Sequence, residues 1–117
     1  MGKALDITER TFEFAVQVVK LCQVLDEQPG AGRTLSRQLI RSGTSIGANV
    51  EEAQSGQSRA DFISKLQIAL KEARETRYWL IPIQFEDALN TASVMNSHPV
   101  TERMTSSVIS DSTVFTL

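Results

Sequence analysis

Apolar and small residues follow a helical spacing through residues 37–53, the most distinctive stretch of the chain. Its apolar positions recur at helical intervals, at Leu39, Ile46, Val50 and Ala53. This spacing predicts a helix over about 35–54 with one face turned toward a core. Gly43 and Gly47 lie inside it, where each glycine costs roughly 0.5–1 kcal/mol relative to alanine. Because a chain tolerates that cost where another backbone comes close, the pattern predicts that other helices pack tightly against this one.

The N-terminal segment predicts a first helix over about 7–26, with Asp6 or Thr8 as its N-cap. At about 100° per residue, its apolar residues form two neighbouring bands. One band holds Phe12, Ala15, Val16, Val19 and Cys22, and the other holds Phe14, Val18, Leu21 and Leu25. A surface helix needs only one such stripe, so this helix is expected to be buried on two sides. In a chain this short, that favours a homo-oligomer in which one band meets another subunit.

A turn is predicted at residues 27–33, which contain the helix breakers Pro29, Gly30 and Gly32. Because this connection is short, the second helix is expected to lie antiparallel to the first. Thr34 or Ser36 is the expected N-cap of the second helix, and Ser55–Gly56 is its expected end.

A third helix is predicted over about 59–81, opened by a capping box of Ser58 and Asp61. Pro82 interrupts the pattern, because proline has no N–H to donate and its ring crowds the preceding turn. The helix is therefore expected to end or kink at this proline, with a continuation to residue 89 as the alternative.

The tail predicts a short, weak fourth helix at about 100–110, because it is rich in serine and threonine, which are poor residues for helix interiors. Four helices joined by short loops define the predicted fold. It is all-α, an antiparallel up-down four-helix bundle in a single domain over residues 1–117.

Composition narrows the classes of function. A net charge of −2 argues against a bulk basic field for nucleic acid or membrane, although it is compatible with a local patch. Cys22 is the only cysteine and His98 the only histidine, so we expect no disulfide, no metal site and no cofactor. The N-terminus lacks a signal-peptide pattern, and no stretch reaches the roughly 20 apolar residues of a membrane span. A cytoplasmic protein is therefore expected.

Six cations at helical spacing form a candidate nucleic-acid-binding face. They are spaced by four on the second helix and by three on the third: Arg33, Arg37, Arg41, Lys71, Arg74 and Arg77. Several cations on one surface suit a phosphate backbone with little base readout. The alternatives are a solvated face balanced by Glu72 and Glu75, or a structural ion pair between Arg41 and an acid on the third helix. No RNA- or DNA-reading motif is present, and Tyr78 and Trp79 are too few to predict a stacking platform.

Catalytic chemistry has little support in this sequence. A carboxylate metal site in a helix bundle needs Glu-x-x-His pairs, and His98 forms no such pair with the candidate acids Glu51, Glu52, Glu72 and Glu75. Ser42 and Ser45 have no histidine base nearby in the sequence. We therefore expect no enzyme activity, and we expect Trp79 to be a core or interface anchor.

Two blocks of the chain resemble a known protein family. The first is the run RQLIRSGTSIGANVEEA at 37–53, and the second extends from Asp61-Phe62 to Tyr78-Trp79-Leu80. Both look like the signature of bacterial four-helix-bundle proteins known as 23S rRNA intervening-sequence proteins, or the S23 ribosomal protein family. The residues taken as this structural signature are Arg41, Ser42, Ser45, Asn49, Glu52, Glu75 and Trp79.

The resemblance implies an up-down four-helix bundle, and characterised relatives assemble as rings of five. Some relatives are accessory proteins of diversity-generating retroelements, where a basic face binds nucleic acid and a reverse transcriptase. The family name refers to the position of the genes and does not establish a ribosomal role. This chain departs from the family after Ile81, where Pro82 intrudes and the tail is poor in leucine.

These features favour a non-enzymatic, oligomeric helical protein that acts by binding, with RNA, DNA or a nucleic-acid enzyme as its expected partner. The alternative is a purely structural or protein-interaction assembly without nucleic-acid contact. The dependence of binding on salt distinguishes the two, because phosphate contacts weaken steeply as salt rises.

Overall fold

The computed structural model describes the backbone of residues 6–27 and 30–93, and the side chains of these residues as far as Gln84. Within these ranges every regular element is an α-helix, in the order α1 (Ile7–Asp26), α2 (Ala31–Gln54) and α3 (Arg59–Ser93). The prediction of an all-α fold is therefore confirmed. The predicted fourth helix, at about 100–110, lies outside the described residues.

Helix α2 lies between the other two and packs extensively against both α1 and α3. Along the α1–α2 contact, Val18 lies against Gly43 and Thr11 against Gly47, so residue numbers rise on one helix as they fall on the other. Along the α2–α3 contact, the ion pairs Arg41–Glu72 and Glu52–Lys65 run in the same opposed order. Each neighbouring pair of helices is thus antiparallel.

One apolar core joins the three helices. Its buried members are Phe14, Val18, Leu21, Cys22 and Leu25 of α1, Leu39, Ile46 and Val50 of α2, and Ala69, Ala73, Leu80 and Ile83 of α3. Burial of apolar side chains is the main term that favours folding, at roughly 25 cal/mol per Å² removed from water. These residues therefore account for most of the stability that holds the helices together.

The predicted close approach of helices at the small residues of α2 is confirmed. A Cβ atom at Gly43 would lie 2.8 Å from Cγ1 of Val18, a distance that real Cβ contacts essentially never show. A Cβ atom at Gly47 would lie 3.4 Å from the carbonyl oxygen of Thr11. Gly43 thus lets α1 approach α2 more closely than a side chain would allow, whereas a Cβ atom at Gly47 would make an ordinary contact.

The two apolar bands of α1 have different environments. The band of Phe14, Val18, Leu21 and Leu25 is buried in the core, and Cys22 of the other band is buried beside it. In contrast, Phe12 is 65% exposed and Val16 is 38% exposed. Within the described part of the chain, therefore, the second band is uncovered at Phe12 and Val16 and half-buried at Ala15 and Val19.

The start of α2 differs from the prediction. Residues 31–33 are helical rather than part of a turn, and the N-cap is Gly30 rather than Thr34 or Ser36. Gly30 has a φ of 114°, which a residue with a side chain rarely adopts. Helix α2 thus begins four residues earlier than predicted, directly after Gly30.

The start of α1, the end of α2 and the start of α3 lie where the sequence predicts them. Helix α1 begins after Asp6, although no side-chain hydrogen bond caps it. Helix α2 ends at Ser55 as expected. The predicted cap of α3 is present, because the backbone N–H of Asp61 donates a hydrogen bond to Oγ of Ser58 at 3.1 Å.

Helix α3 does not end at Pro82 but continues through it to Ser93. The proline removes one backbone hydrogen bond to Tyr78 and crowds the preceding turn. However, Leu80 and Ile83 on either side of it are buried in the core. Packing of these flanking residues stabilises the helical path across the proline, a contribution that local propensity does not include.

Candidate nucleic-acid interface

The three predicted cations of α2 have different surroundings. The Nη2 group of Arg33 donates a hydrogen bond to the carbonyl oxygen of Asp26 at the end of α1, at 3.1 Å. Arg37 is exposed, whereas Arg41 contacts acids on α3. A spacing of four therefore does not leave all three guanidinium groups available to an outside phosphate.

Arg41 is the centre of an ion-pair network between α2 and α3. Its Nη1 lies 3.4 Å from Oε2 of Glu72, and its Nη2 contacts Oε2 of Glu75. The same Glu75 oxygen accepts a hydrogen bond from the indole N–H of Trp79 at 3.0 Å. The hypothesis that Arg41 reaches an acid on the third helix is thus confirmed, and the network helps to fix the register of α2 against α3.

A double-mutant cycle on Arg41→Met and Glu75→Gln is expected to give a coupling energy of about 0.5–1 kcal/mol. The Arg41 side chain is 50% exposed, so solvent screens the pair and keeps its contribution near that of a good surface ion pair. Denaturant unfolding of the two single variants and the double variant measures this coupling. The Lys65→Met and Glu52→Gln cycle is the matched control. A coupling near zero for Arg41 and Glu75 would contradict a role in the helix register.

The remaining signature residues lie along the same side of α2. Ser42 is buried, and its hydroxyl donates to the carbonyl oxygen of Gln38; the hydroxyl of Ser45, which is half-buried, donates to the carbonyl oxygen of Arg41. The side-chain amide of Asn49 donates in turn to the carbonyl oxygen of Ser45, at 2.8 Å. One turn later, Glu52 pairs with Lys65 of α3 at 2.8 Å and raises the pKa of that lysine, chiefly through the hydrogen bond between them.

We call this contact line the α2–α3 seam. It comprises Arg41 and Glu52 of α2 with Lys65, Glu72, Glu75 and Trp79 of α3. Four residues of the predicted structural signature therefore belong to it, whereas Ser42, Ser45 and Asn49 donate their hydrogen bonds to carbonyl oxygens of α2 itself. The charged groups of the seam bind other groups of the protein and join α2 to α3.

The three predicted cations of α3 lie on the exposed side of that helix, away from its buried residues Ala69, Thr76 and Leu80. Lys71, Arg74 and Arg77 are all exposed. In the region that the structure describes, none of them forms an ion pair. Glu72 and Glu75 do not balance this charge directly, because both are turned toward Arg41. We call these three cations, with the side of α3 that carries them, the outer basic face.

Tyr78 and Trp79 are adjacent in sequence but point to different environments. Trp79 packs against the core and donates its N–H to Glu75, whereas Tyr78 is 64% exposed. The two rings meet edge to face, with centroids 5.1 Å apart and planes inclined at 77°. The exposure of Tyr78 was not predicted from the sequence, where the two rings are neighbours. Its position four residues after Arg74 is the signal that places it with the cations.

The cysteine and the possible metal ligands form no further candidate site among the described residues. Cys22 is buried, which raises the pKa of its thiol and keeps it protonated, and its Sγ lies 3.4 Å from the carbonyl oxygen of Ser36. Among the described residues, no group of three or more histidine, cysteine, aspartate or glutamate side chains is placed to hold a metal ion. His98 falls outside those residues. None of the three described helices is long and apolar enough to cross a membrane.

The helices and the seam define an all-α protein built of packed antiparallel helices. Over residues 3–109 the chain matches the family described as 23S rRNA-intervening sequence protein. It is also similar to the crystal structure of a protein with unknown function from the S23 ribosomal protein family of Bacteroides thetaiotaomicron. That protein is 38% identical in sequence, the match covers 94% of each chain, and the TM-score is 0.64. No curated protein matches the chain.

Residues 3–109 make up most of the chain, and the structural relative agrees with the same assignment. This protein belongs to the 23S rRNA-intervening sequence protein family, as the resemblance of its two sequence blocks implied.

Proposed function

We propose that this protein is a non-enzymatic, homo-oligomeric helical-bundle protein that binds nucleic acid through the outer basic face of α3. The observation that carries the proposal is the exposure of Lys71, Arg74 and Arg77 while the nearby acids Glu72 and Glu75 pair with Arg41. Three exposed cations within two helical turns present positive charge to a phosphate backbone. Because no base-reading motif accompanies these cations, the expected contacts are to phosphates, and the expected binding does not depend on sequence.

Exposed apolar residues of α1 support the homo-oligomer. Phe12 and Val16 are exposed on one side of α1, and Ile40 of α2 is 39% exposed. The free energy falls when a second copy of the chain covers exposed apolar side chains and removes them from water. We propose the full assembly to be a ring of five four-helix bundles, with the fourth helix at 100–110, acting in the cytoplasm. A ring would repeat the outer basic face and strengthen a contact that is weak in one chain.

The charge balance of the chain sets the strength expected for this contact. A net charge of −2 supplies no long-range attraction to a polyanion. Attraction therefore comes from the local face, and salt screens it over about 8–10 Å at physiological ionic strength. Binding is expected to be weak at high salt and measurable at low salt.

Neutralising the outer basic face with Lys71→Gln, Arg74→Gln and Arg77→Gln together is expected to abolish most nucleic-acid binding. Each lost phosphate contact lowers the slope of log affinity against log salt by about 0.7 for a single strand, so three contacts lower it by about 2 per chain. The measurement is binding of a generic RNA by fluorescence anisotropy over a salt series, with solution mass by light scattering in parallel. The wild-type protein is expected to keep its oligomeric mass at both ends of the series.

The matched control is the pair Arg33→Gln and Arg37→Gln on α2, which changes charge without touching the outer basic face. This variant is expected to keep most of the binding and of the salt slope. Loss of binding in the control alone would place the contact on α2 and contradict the proposal. An oligomer that ignores RNA at every salt concentration would instead favour the alternative function, a structural assembly that contacts only proteins.

A further inference from the structure

Tyr78 is an exposed ring that is held in place on one side. Trp79 meets it edge to face, and Trp79 is itself fixed by the core and by its hydrogen bond to Glu75. The Tyr78 side chain nevertheless remains 64% exposed. Such a ring is partly ordered before any ligand arrives, so little side-chain entropy is lost when a flat group stacks on it.

The ring lies within the line of cations on the outer basic face. Arg74 and Lys71 precede Tyr78 by four and seven residues, and these intervals return to the same side of an α-helix. They correspond to about 6 Å and about 10 Å along the helix axis. A cation and an aromatic face thus stand side by side, within reach of a single nucleotide or two neighbouring ones.

Cations beside an exposed aromatic ring favour single-stranded over duplex nucleic acid. Bases in a duplex are stacked on each other and offer the protein only their edges and the phosphates. Unpaired bases expose their flat faces, and proteins that bind single strands combine a positive surface with aromatic side chains on which bases stack. A surface made for duplex contact alone would need only the cations.

We propose that the outer basic face binds single-stranded nucleic acid, with Tyr78 stacked on an unpaired base and with Arg74 and Lys71 on the adjacent phosphates. This inference rests on the proposed function and adds to it the form of the nucleic acid. It also assigns Tyr78 a role that the protein core does not require, because the ring contributes little to the buried interior. Ile81, which is 54% exposed one turn farther on, adds an apolar surface beside the same base.

The test compares Tyr78→Ala and Tyr78→Phe with the wild-type chain. The ligands are a single-stranded RNA oligonucleotide and the duplex formed from the same sequence and its complement. Tyr78→Ala is expected to weaken single-strand binding by about 5- to 100-fold, the range for loss of one stacked base. Tyr78→Phe keeps the aromatic face and is expected to bind nearly as well as the wild type. Neither change should alter duplex binding or the salt slope, because no charge is removed.

Two controls separate the possible failures. Circular dichroism and light scattering must show that each variant keeps the fold and the mass of the wild type. If Tyr78→Ala changes the mass but not the RNA binding, Tyr78 is a subunit contact and the inference is overturned. Equal loss of single-strand and duplex binding would overturn it as well. If the wild-type chain binds duplex and single strand equally and Tyr78→Ala changes nothing, the stacking inference fails while the proposed function stands. If the wild-type chain binds neither ligand at low salt, the proposed function itself fails.

Discussion

Replacing Leu39 with alanine is expected to lower the free energy of unfolding by about 2–5 kcal/mol, the range for a leucine removed from a packed core. Leu39 is 0% exposed and stands on the middle helix of the three. Because α2 packs against both α1 and α3, the cavity would be bounded by several elements that cannot all move inward together. The measurement is denaturant unfolding followed by far-ultraviolet circular dichroism, at one fixed chain concentration.

The neighbouring residue provides the control for this change. Ile40 is 39% exposed, so Ile40→Ala removes a similar volume from a site that is already partly in water. Its expected loss is less than half that of Leu39→Ala. Equal losses for the two variants would mean that Ile40 is also fully buried in solution, for example by a second subunit. A dependence of the Ile40→Ala result on chain concentration would identify that case.

Replacing Gly43 with alanine is expected to lower the free energy of unfolding by about 1–2 kcal/mol. The new methyl group would lie 2.8 and 2.9 Å from the two γ-carbons of Val18, so one of the helices must shift. Val18 is fully buried and β-branched, and its χ1 has one strongly preferred rotamer in a helix. Overpacking of this kind costs typically 1–3 kcal/mol, of which the better helix propensity of alanine returns up to about 1 kcal/mol.

Gly47→Ala is the matched control, one turn along the same helix. A Cβ atom there would meet the Thr11 carbonyl oxygen and Oγ1 at 3.4 Å, an ordinary van der Waals separation. The helix propensity of alanine then dominates, and the variant is expected to be as stable as the wild type or more stable by about 0.5–1 kcal/mol. The same unfolding measurement compares the two variants. If Gly43→Ala proves as stable as Gly47→Ala, the tight contact with Val18 is absent in solution.

Much of this fold could be predicted from the sequence because its main signals are local and periodic. The apolar spacing of α1, the small residues of α2 and the Ser58 cap each depend on residues within a few turns of one another. The pairing of Arg41 with an acid of α3 was also accessible, since antiparallel neighbours bring those segments together. The sequence could not decide which acid pairs with Arg41, and in the structure Arg41 contacts both Glu72 and Glu75.

The features that the sequence did not predict depend on contacts distant along the chain. Pro82 ends a helix by local rules, but burial of its neighbours Leu80 and Ile83 overrides those rules. Gly30 was predicted to be a helix breaker inside a longer turn, whereas it is the N-cap of α2 and has a positive φ. The cations of α2 and α3 had similar patterns, and only the structure separates the paired Arg41 from the exposed cations of α3.

The separation between the α2–α3 seam and the outer basic face has a consequence for how such proteins diverge. The charged and polar groups of the seam bind partners inside the protein. The outer basic face contributes little to the core, so its residues can be exchanged without loss of the fold. Two proteins can therefore share the seam and still differ at the outer surface of α3. Membership of this family thus predicts the helical scaffold, whereas the outer surface of α3 is free to vary.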